Sequence, residues 1–204
     1  HWTVLALAIG FASIMFITKK IGWLQSVHGV ERKSDGAIYH PIAIYTCFLY
    51  SQILNQPMFY VISILILAIS DALAALVGKS YGANEYLVEV GTRKTIEGSV
   101  TFFLTSFLIV HLILLLSTQI GRVESVLIAL LISIIVTIFE GVSLKGADNL
   151  FIPLGTMFVL SKNITPTIEG ILFQILALIG FLVGYLVLLL PYKRIGFSGV
   201  TLLG

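Results

Sequence analysis

The sequence predicts an all-α, polytopic transmembrane bundle, and three observations carry that prediction. Hydrophobic residues make up 58% of the 204 residues and charged residues only 11%. A soluble domain carries roughly 25% charge. Mean hydropathy is +1.05, and the apolar runs recur at lengths near the ~20 residues that span a bilayer. The lone cysteine, Cys47, sits in an apolar run, so no intrachain disulfide is possible.

Each element follows from an apolar run and the polar residues that close it. Trp2 to Thr18 is the first span and ends at Lys19-Lys20. Ala37 to Leu54 is the second, closed by the turn Asn55-Gln56-Pro57. Met58 to Val77 is the third, about 30 Å of helix at 1.5 Å per residue. A long glycine-rich loop, Gly78 to Ser99, then leads to a fourth span at Val100–Leu116 and a fifth at Val123–Phe139. A polar loop, Glu140 to Asn149, precedes a short apolar piece at Phe151–Leu160. That sixth segment is too short for a simple crossing and reads as re-entrant or heavily buried. The seventh runs from Ile168 to Leu190 and ends at Pro191. The chain starts at His1 inside an apolar run and stops at GFSGVTLLG, so residues 1–204 read as one integral-membrane domain trimmed at one or both ends.

Charge sidedness orients the bundle. With the N-terminus outside, Lys19, Lys20, Arg32, Lys33, Lys79, Arg93, Lys94, Lys145, Lys193 and Arg194 fall on the cytoplasmic face, and only Arg122 and Lys162 outside; these are all 12 Lys+Arg. Cytoplasmic loops carry such an excess of cations. The same topology gathers the loops 19–36, 78–99 and 140–150 on one face, where they can build one site.

Asp71 follows the apolar run VISILILAIS. An acid within a span is expensive and usually marks a site; the competing reading is a structural ion pair with a neighbouring lysine. Gly78-Lys79-Ser80-Tyr81-Gly82 and then Arg93-Lys94-Thr95-Ile96-Glu97-Gly98-Ser99 open onto the fourth helix. Free N–H groups at a helix start favour phosphate, and Lys or Arg beside them neutralise its charge. An ordinary positive-inside loop explains the same residues equally well. The GKS triplet is not a Walker A motif, because Leu73 stands where its first glycine belongs. In the second polar loop Glu140, Lys145, Asp148 and Asn149 form a second oxygen-rich cluster, which also suits a solvated surface. Arg32-Lys33 can reach an anionic group or simply anchor the membrane face. His111, within the fourth span, fits an interhelical hydrogen bond better than catalysis. No zinc spacing, Ser/His/Asp set, GxSxG or nucleic-acid signature is present.

In combination, SDALAALVGKSYG, RKTIEGS and GADNLFIP resemble the dolichol kinase, phytol kinase and yeast-type diacylglycerol kinase family, itself distantly similar to phosphatidate cytidylyltransferases. The likeness covers about residues 25 to 155. The pair Arg32-Lys33 after His28 fits as well, with Ser34-Asp35-Gly36 where those enzymes carry a further His. The resemblance implies a CTP-dependent kinase that phosphorylates a membrane lipid alcohol at the cytoplasmic interface, with CTP as co-substrate and Mg²⁺ as cofactor. Asp71 and Asp148 would hold the metal. Arg32, Lys33, Lys79, Arg93, Lys94 and Lys145 would neutralise phosphate charge. Gly78, Gly82, Thr95, Gly98 and Asn149 would shape the cradle, and Asp71, Glu97 and Glu140 would serve the chemistry, Glu97 or Glu140 orienting a metal water or accepting the lipid hydroxyl proton. A cytidylyltransferase making a CDP-lipid needs the same parts and is the alternative. A transporter or scaffold is a third reading, disfavoured because the polar groups crowd one face rather than the bilayer midplane. The acceptor alcohol and the oligomeric state are not legible.

Overall fold

The computed structural model describes residues 2–21, 36–89, 92–143 and 146–200. Among them are eight α-helices: α1 (Trp2–Ile21), α2 (Gly36–Leu54), α3 (Pro57–Leu65), α4 (Asp71–Tyr81), α5 (Ile96–Ser117), α6 (Arg122–Val142), α7 (Asp148–Lys162) and α8 (Ile168–Val200). A π-helical turn, Ile66–Ser70, joins α3 to α4. Four stretches are long and apolar enough to cross a membrane: Pro57–Tyr81, Ile96–Ser117, Arg122–Val142 and Ile168–Leu188. The all-α membrane fold is thus borne out, with four candidate crossings among the described residues where the hydropathy pattern suggests seven.

Several boundaries differ from those expected, each for a local reason. The third segment does not stop at Val77 but stays helical through Tyr81, so Gly78 and Lys79 sit on its last turn rather than in a loop. Nor is it one uniform α-helix, since the π turn falls immediately before Asp71. The expected loop then holds a two-stranded antiparallel hairpin, β1 (Glu85–Glu89) and β2 (Thr92–Thr95). Tyr86 pairs with Lys94 across it, and a bulge lies between Leu87 and Glu89. α5 begins at Ile96, four residues early, because Thr95 caps it: Gly98 N–H donates to Thr95 Oγ1 at 3.1 Å. α6 extends through Glu140 to Val142, which moves that acid from loop to helix end. α7 starts at Asp148, after a turn in which Gly146 takes φ 83°, a conformation open to glycine. α8 runs past Pro191, as membrane helices tolerate when the freed carbonyl finds another partner.

α6 is the centre of the bundle. It packs on α5, α7 and α8, and its Ile128, Ala129, Ile132 and Val136 are fully buried. α7, at 15 residues, is only about 22 Å long. It is wedged against α2, α3 and α6 and buries Ile152, Pro153, Met157 and Leu160, which bears out the heavily buried reading of the sixth segment. α8 presents most of its apolar side chains outward. Such a face suits lipid, where an outward leucine loses nothing by not packing on protein. Between α5 and the π turn, Ser106 Oγ donates to Ser70 Oγ at 3.0 Å, both fully buried. Two small polar residues thereby tie the irregular turn to its neighbour.

Candidate active site

The hairpin folds over the end of the bundle because its two strands flank the capped start of α5. Ile96 N–H closes its base on Asn84 O at 2.9 Å. The Asn84 side-chain amide donates to Glu97 Oε1 at 2.9 Å, and its main-chain N–H reaches the same carboxylate at 3.3 and 3.4 Å. Glu97 thus anchors the hairpin.

Cross-strand neighbours lie on one face of a sheet, so the pairing of Tyr86 with Lys94 carries both to the same side. Lys94 Nζ meets Glu140 Oε1 at 2.7 Å and also donates to the main-chain carbonyl of Glu140. Both side chains are largely buried, 14% and 10% exposed. The geometry serves two purposes: an ammonium neutralises a buried carboxylate, and it satisfies a carbonyl at the negative end of the α6 dipole. Ser99 Oγ donates to Glu140 Oε2 at 3.4 Å, and Ser99 Oγ and the Tyr86 hydroxyl share a hydrogen bond of 2.7 Å.

Asp71, on the first turn of α4, lies within electrostatic reach of Asp148, Glu140 and Lys94. It stands about 15 Å below the end of its helix, deeper than the ~9 Å that a span ending at Val77 implies. Asp148 opens α7; its N–H donates to Ser143 Oγ at 2.6 Å, and Asn149 N–H donates to Asp148 Oδ1 at 3.0 Å. Two of the three polar loops therefore meet, through α4, the hairpin and the ends of α6 and α7.

The glycines lie where α4 and α5 nearly touch. A Cβ on Gly78 would sit 2.7 Å from Thr95 Oγ1, one on Gly82 only 2.3 Å from Gly78 O, and one on Gly98 3.0 Å from Ala74 O. At Gly82 the obstacle is backbone, at Gly78 it is the Thr95 side chain, and at Gly98 Thr95 and the Ala74 carbonyl both crowd the space. Two first-turn N–H groups of α5, those of Ile96 and Gly98, are engaged within the chain. Lys79 projects outward and is exposed. Arg93 is placed on β2 by its backbone, while Arg32, Lys33 and Lys145 lie outside the described residues.

Among the described residues, no three His, Cys, Asp or Glu side chains come close enough to chelate a metal unaided. Asp71 and Asp148 lie within electrostatic reach of one another, and one or two carboxylates are what Mg²⁺ typically takes, completing its shell with water and phosphate oxygens.

Three participants are not singled out by the sequence: Asn84, Tyr86 and Ser143. The residue types carry no pattern of their own, and each acts across a gap between elements. Ser99 was visible only as the last letter of RKTIEGS.

Long apolar helices with carboxylates and a cation gathered toward one end of the bundle define an integral membrane protein with a polar centre. The family model described as the Cytidylyltransferase family matches residues 2–142. The phytol kinase of Synechocystis sp. is 33% identical over 159 residues, which is 78% of this chain and 67% of that protein. No solved structure matches the chain. The chain belongs to the cytidylyltransferase family, and within it to the phytol kinase and dolichol kinase type that its motifs resemble.

Proposed function

We propose that the protein is a membrane phosphotransferase that moves the γ-phosphoryl group of a nucleoside triphosphate, CTP by family resemblance, onto the hydroxyl of a lipid alcohol. The observation that carries this reading is that Asp71 lies within electrostatic reach of Asp148 and of the Lys94–Glu140 ion pair. Phosphoryl transfer asks mainly for positioning and neutralisation of charge, and this cluster offers both. The likeness to a phytol kinase supports the lipid acceptor.

In this reading Asp71 and Asp148 hold Mg²⁺, which when bound neutralises phosphate oxygens. Lys94, Lys79 and Arg93 place positive charge about the triphosphate, with Arg32, Lys33 and Lys145 as further cations from the adjoining loops. Gly78, Gly82 and Gly98 let α4 and α5 close around Thr95, and Asn149 stands beside Asp148. Glu140 accepts the hydroxyl proton as the lipid oxygen bonds to the γ-phosphorus; the bond to the β–γ bridging oxygen breaks, and a nucleoside diphosphate leaves. Glu97 holds the hairpin that carries Lys94. The topology that goes with this has seven membrane segments, the N-terminus outside and the active face cytoplasmic, resting on the ten cations of twelve that it collects there.

The family description favours a second reading, in which the same cluster directs attack at the α-phosphate and a CDP-lipid forms. One experiment separates the two. Purified protein in lipid receives Mg²⁺, γ-labelled CTP or ATP, and phytol, polyprenols, diacylglycerol or phosphatidate. Label on the alcohol supports the kinase, and released labelled pyrophosphate with a CDP-lipid supports the alternative. Absence of turnover with every acceptor in folded protein rejects both.

A further inference from the structure

Inside this bundle, hydroxyls are commonly spent on their own helix. Thr101 and Thr105 of α5 donate to carbonyls four residues back, at 2.8 and 2.7 Å. Ser63 in α3 and Thr156 in α7 do the same. Such bonds are the ordinary way in which a helix satisfies a serine or threonine. Ser99 departs from that habit. Its Oγ lies 2.7 Å from the Tyr86 hydroxyl on β1 and donates to Glu140 Oε2 on α6 at 3.4 Å. One small side chain thus ties three elements together.

The direction of this chain follows from charge. Glu140 pairs with the Lys94 ammonium through Oε1, and an ionised carboxylate can only accept. Ser99 has one hydroxyl proton, which goes to Oε2, so Tyr86 must donate the 2.7 Å bond. The order is Tyr86 to Ser99 to Glu140. Tyr86 and Lys94 are cross-strand partners, so one face of the hairpin serves both carboxylate oxygens, Oε1 directly and Oε2 through Ser99. The phenol also lies close over the end of α6: a Cβ on Gly141, the neighbour of Glu140, would stand 3.4 Å from the Tyr86 hydroxyl. The two oxygens of Glu140 are not equivalent. Oε1 is held at 2.7 Å by an ammonium, whereas Oε2 meets Ser99 at 3.4 Å, beyond the distance of a full-strength O–H···O bond. Oε2 is therefore the oxygen with capacity for a further proton.

We propose that Tyr86 and Ser99 are positioning residues for Glu140, a hydroxyl pair that fixes Oε2 and serves both charge states of the carboxyl group. This rests on the reading of Glu140 as the base. While Glu140 is ionised, the pair donates inward and holds the carboxylate in place. When the lipid hydroxyl passes its proton to Oε2, the new O–H donates to Ser99 Oγ. Ser99 then turns its own proton to the Tyr86 oxygen, and the phenol proton turns away. Only the transferred proton changes oxygen; the rest is rotation of hydroxyl groups. Hydrogen bonds preorganised in this way avoid reorganisation at the moment of reaction.

A test free of turnover asks whether Tyr86 and Glu140 are coupled through Ser99. Unfolding midpoints in detergent are measured for Tyr86→Phe, Glu140→Gln and their double variant, with Ser99 present and with Ser99→Ala. The midpoint shifts should be non-additive with Ser99 present and additive with Ser99→Ala. Additive shifts in both backgrounds deny the chain, and equal non-additivity in both bypasses Ser99; either result overturns the proposal.

Kinetics test the positioning itself, with variants that keep both Lys94 and Glu140. Tyr86→Phe and Ser99→Ala should each lower kcat about tenfold and leave KM for nucleotide and alcohol within about twofold. Their double variant should fall no further than the worse single one. Ser99→Thr, which keeps the hydroxyl, should retain most of the wild-type rate. Unchanged kcat in both single variants, with the wild type active, overturns the positioning role and leaves the kinase reading intact, even where the unfolding midpoint falls. Coupling through Ser99 in wild-type protein that phosphorylates no alcohol rejects the kinase reading and keeps the hydrogen-bond chain to Glu140.

Discussion

Lys94 and Glu140 are 46 residues apart along the chain, yet their charged atoms are 2.7 Å apart. That contact joins the hairpin over the bundle to the end of α6, the most buried of the four candidate crossings, and the rest of the site is arranged around it.

Removing one partner leaves the other charge buried and uncompensated. Lys94→Met should destabilise the protein by about 3 kcal/mol, measured by chemical or thermal unfolding in detergent. Adding Glu140→Gln to it should restore part of the loss, because the two side chains are coupled. Strictly additive effects would show that the pair contributes nothing as a pair.

Asp71 and Asp148 are proposed to share a metal, so Asp71→Asn and Asp148→Asn should each lower turnover by more than the ~100-fold that changes behind a metal ligand reach. Each should also raise the Mg²⁺ concentration needed for half-maximal activity, while the unfolding midpoint stays at or above that of the wild type. A variant of normal activity and unchanged Mg²⁺ dependence would remove that residue from the metal site.

Glu97 and Glu140 were both candidate bases, and their contacts set them apart. Glu97 is committed to Asn84 in the hairpin, whereas Glu140 faces Lys94 and Ser99. Glu140→Gln should cost about 10²- to 10⁴-fold in turnover, the range for a general base. Glu97→Gln should cost less than about tenfold and act through stability. The opposite ranking, in protein shown to be folded, would transfer the base role to Glu97.

Gly82→Ala drives a methyl group to within 2.3 Å of a backbone carbonyl oxygen and 2.4 Å of Thr95 Cγ2. Overpacking of this kind costs about 1–3 kcal/mol. The outward-facing Lys79→Ala should leave the unfolding midpoint nearly unchanged. If Gly82→Ala is equally neutral, the close approach of α4 and α5 at Thr95 is not a constraint on folding.

Much of the fold could be read from composition because hydropathy is a local property summed along the chain. The buried character of the segment at Phe151–Leu160 followed from its length alone, and α7 is indeed wedged among α2, α3 and α6. Boundaries were less legible. Gly78 and Lys79 look like loop residues, but nothing obliges a helix to stop at a glycine when packing continues past it, and α4 ends only at Tyr81. The π turn before Asp71 left no mark in the sequence, since Ile66 to Ser70 would suit an α-helix equally well.

The site divides along the same line. Residue types and spacing alone mark the chain as a membrane protein with Asp71, Lys94, Glu140 and Asp148 among its candidates, because charges within apolar surroundings stand out wherever they occur; the lipid-kinase type rests on the resemblance of its motifs to that family. Which of them face one another was a tertiary matter. The cross-strand register that sets Lys94 beside Tyr86, the capping by Thr95 that starts α5 early, and the extension of α6 through Glu140 bring the acid, the cation and Ser99 to one place. Each depends on atoms tens of residues apart, and no local pattern in the chain encodes such a distance.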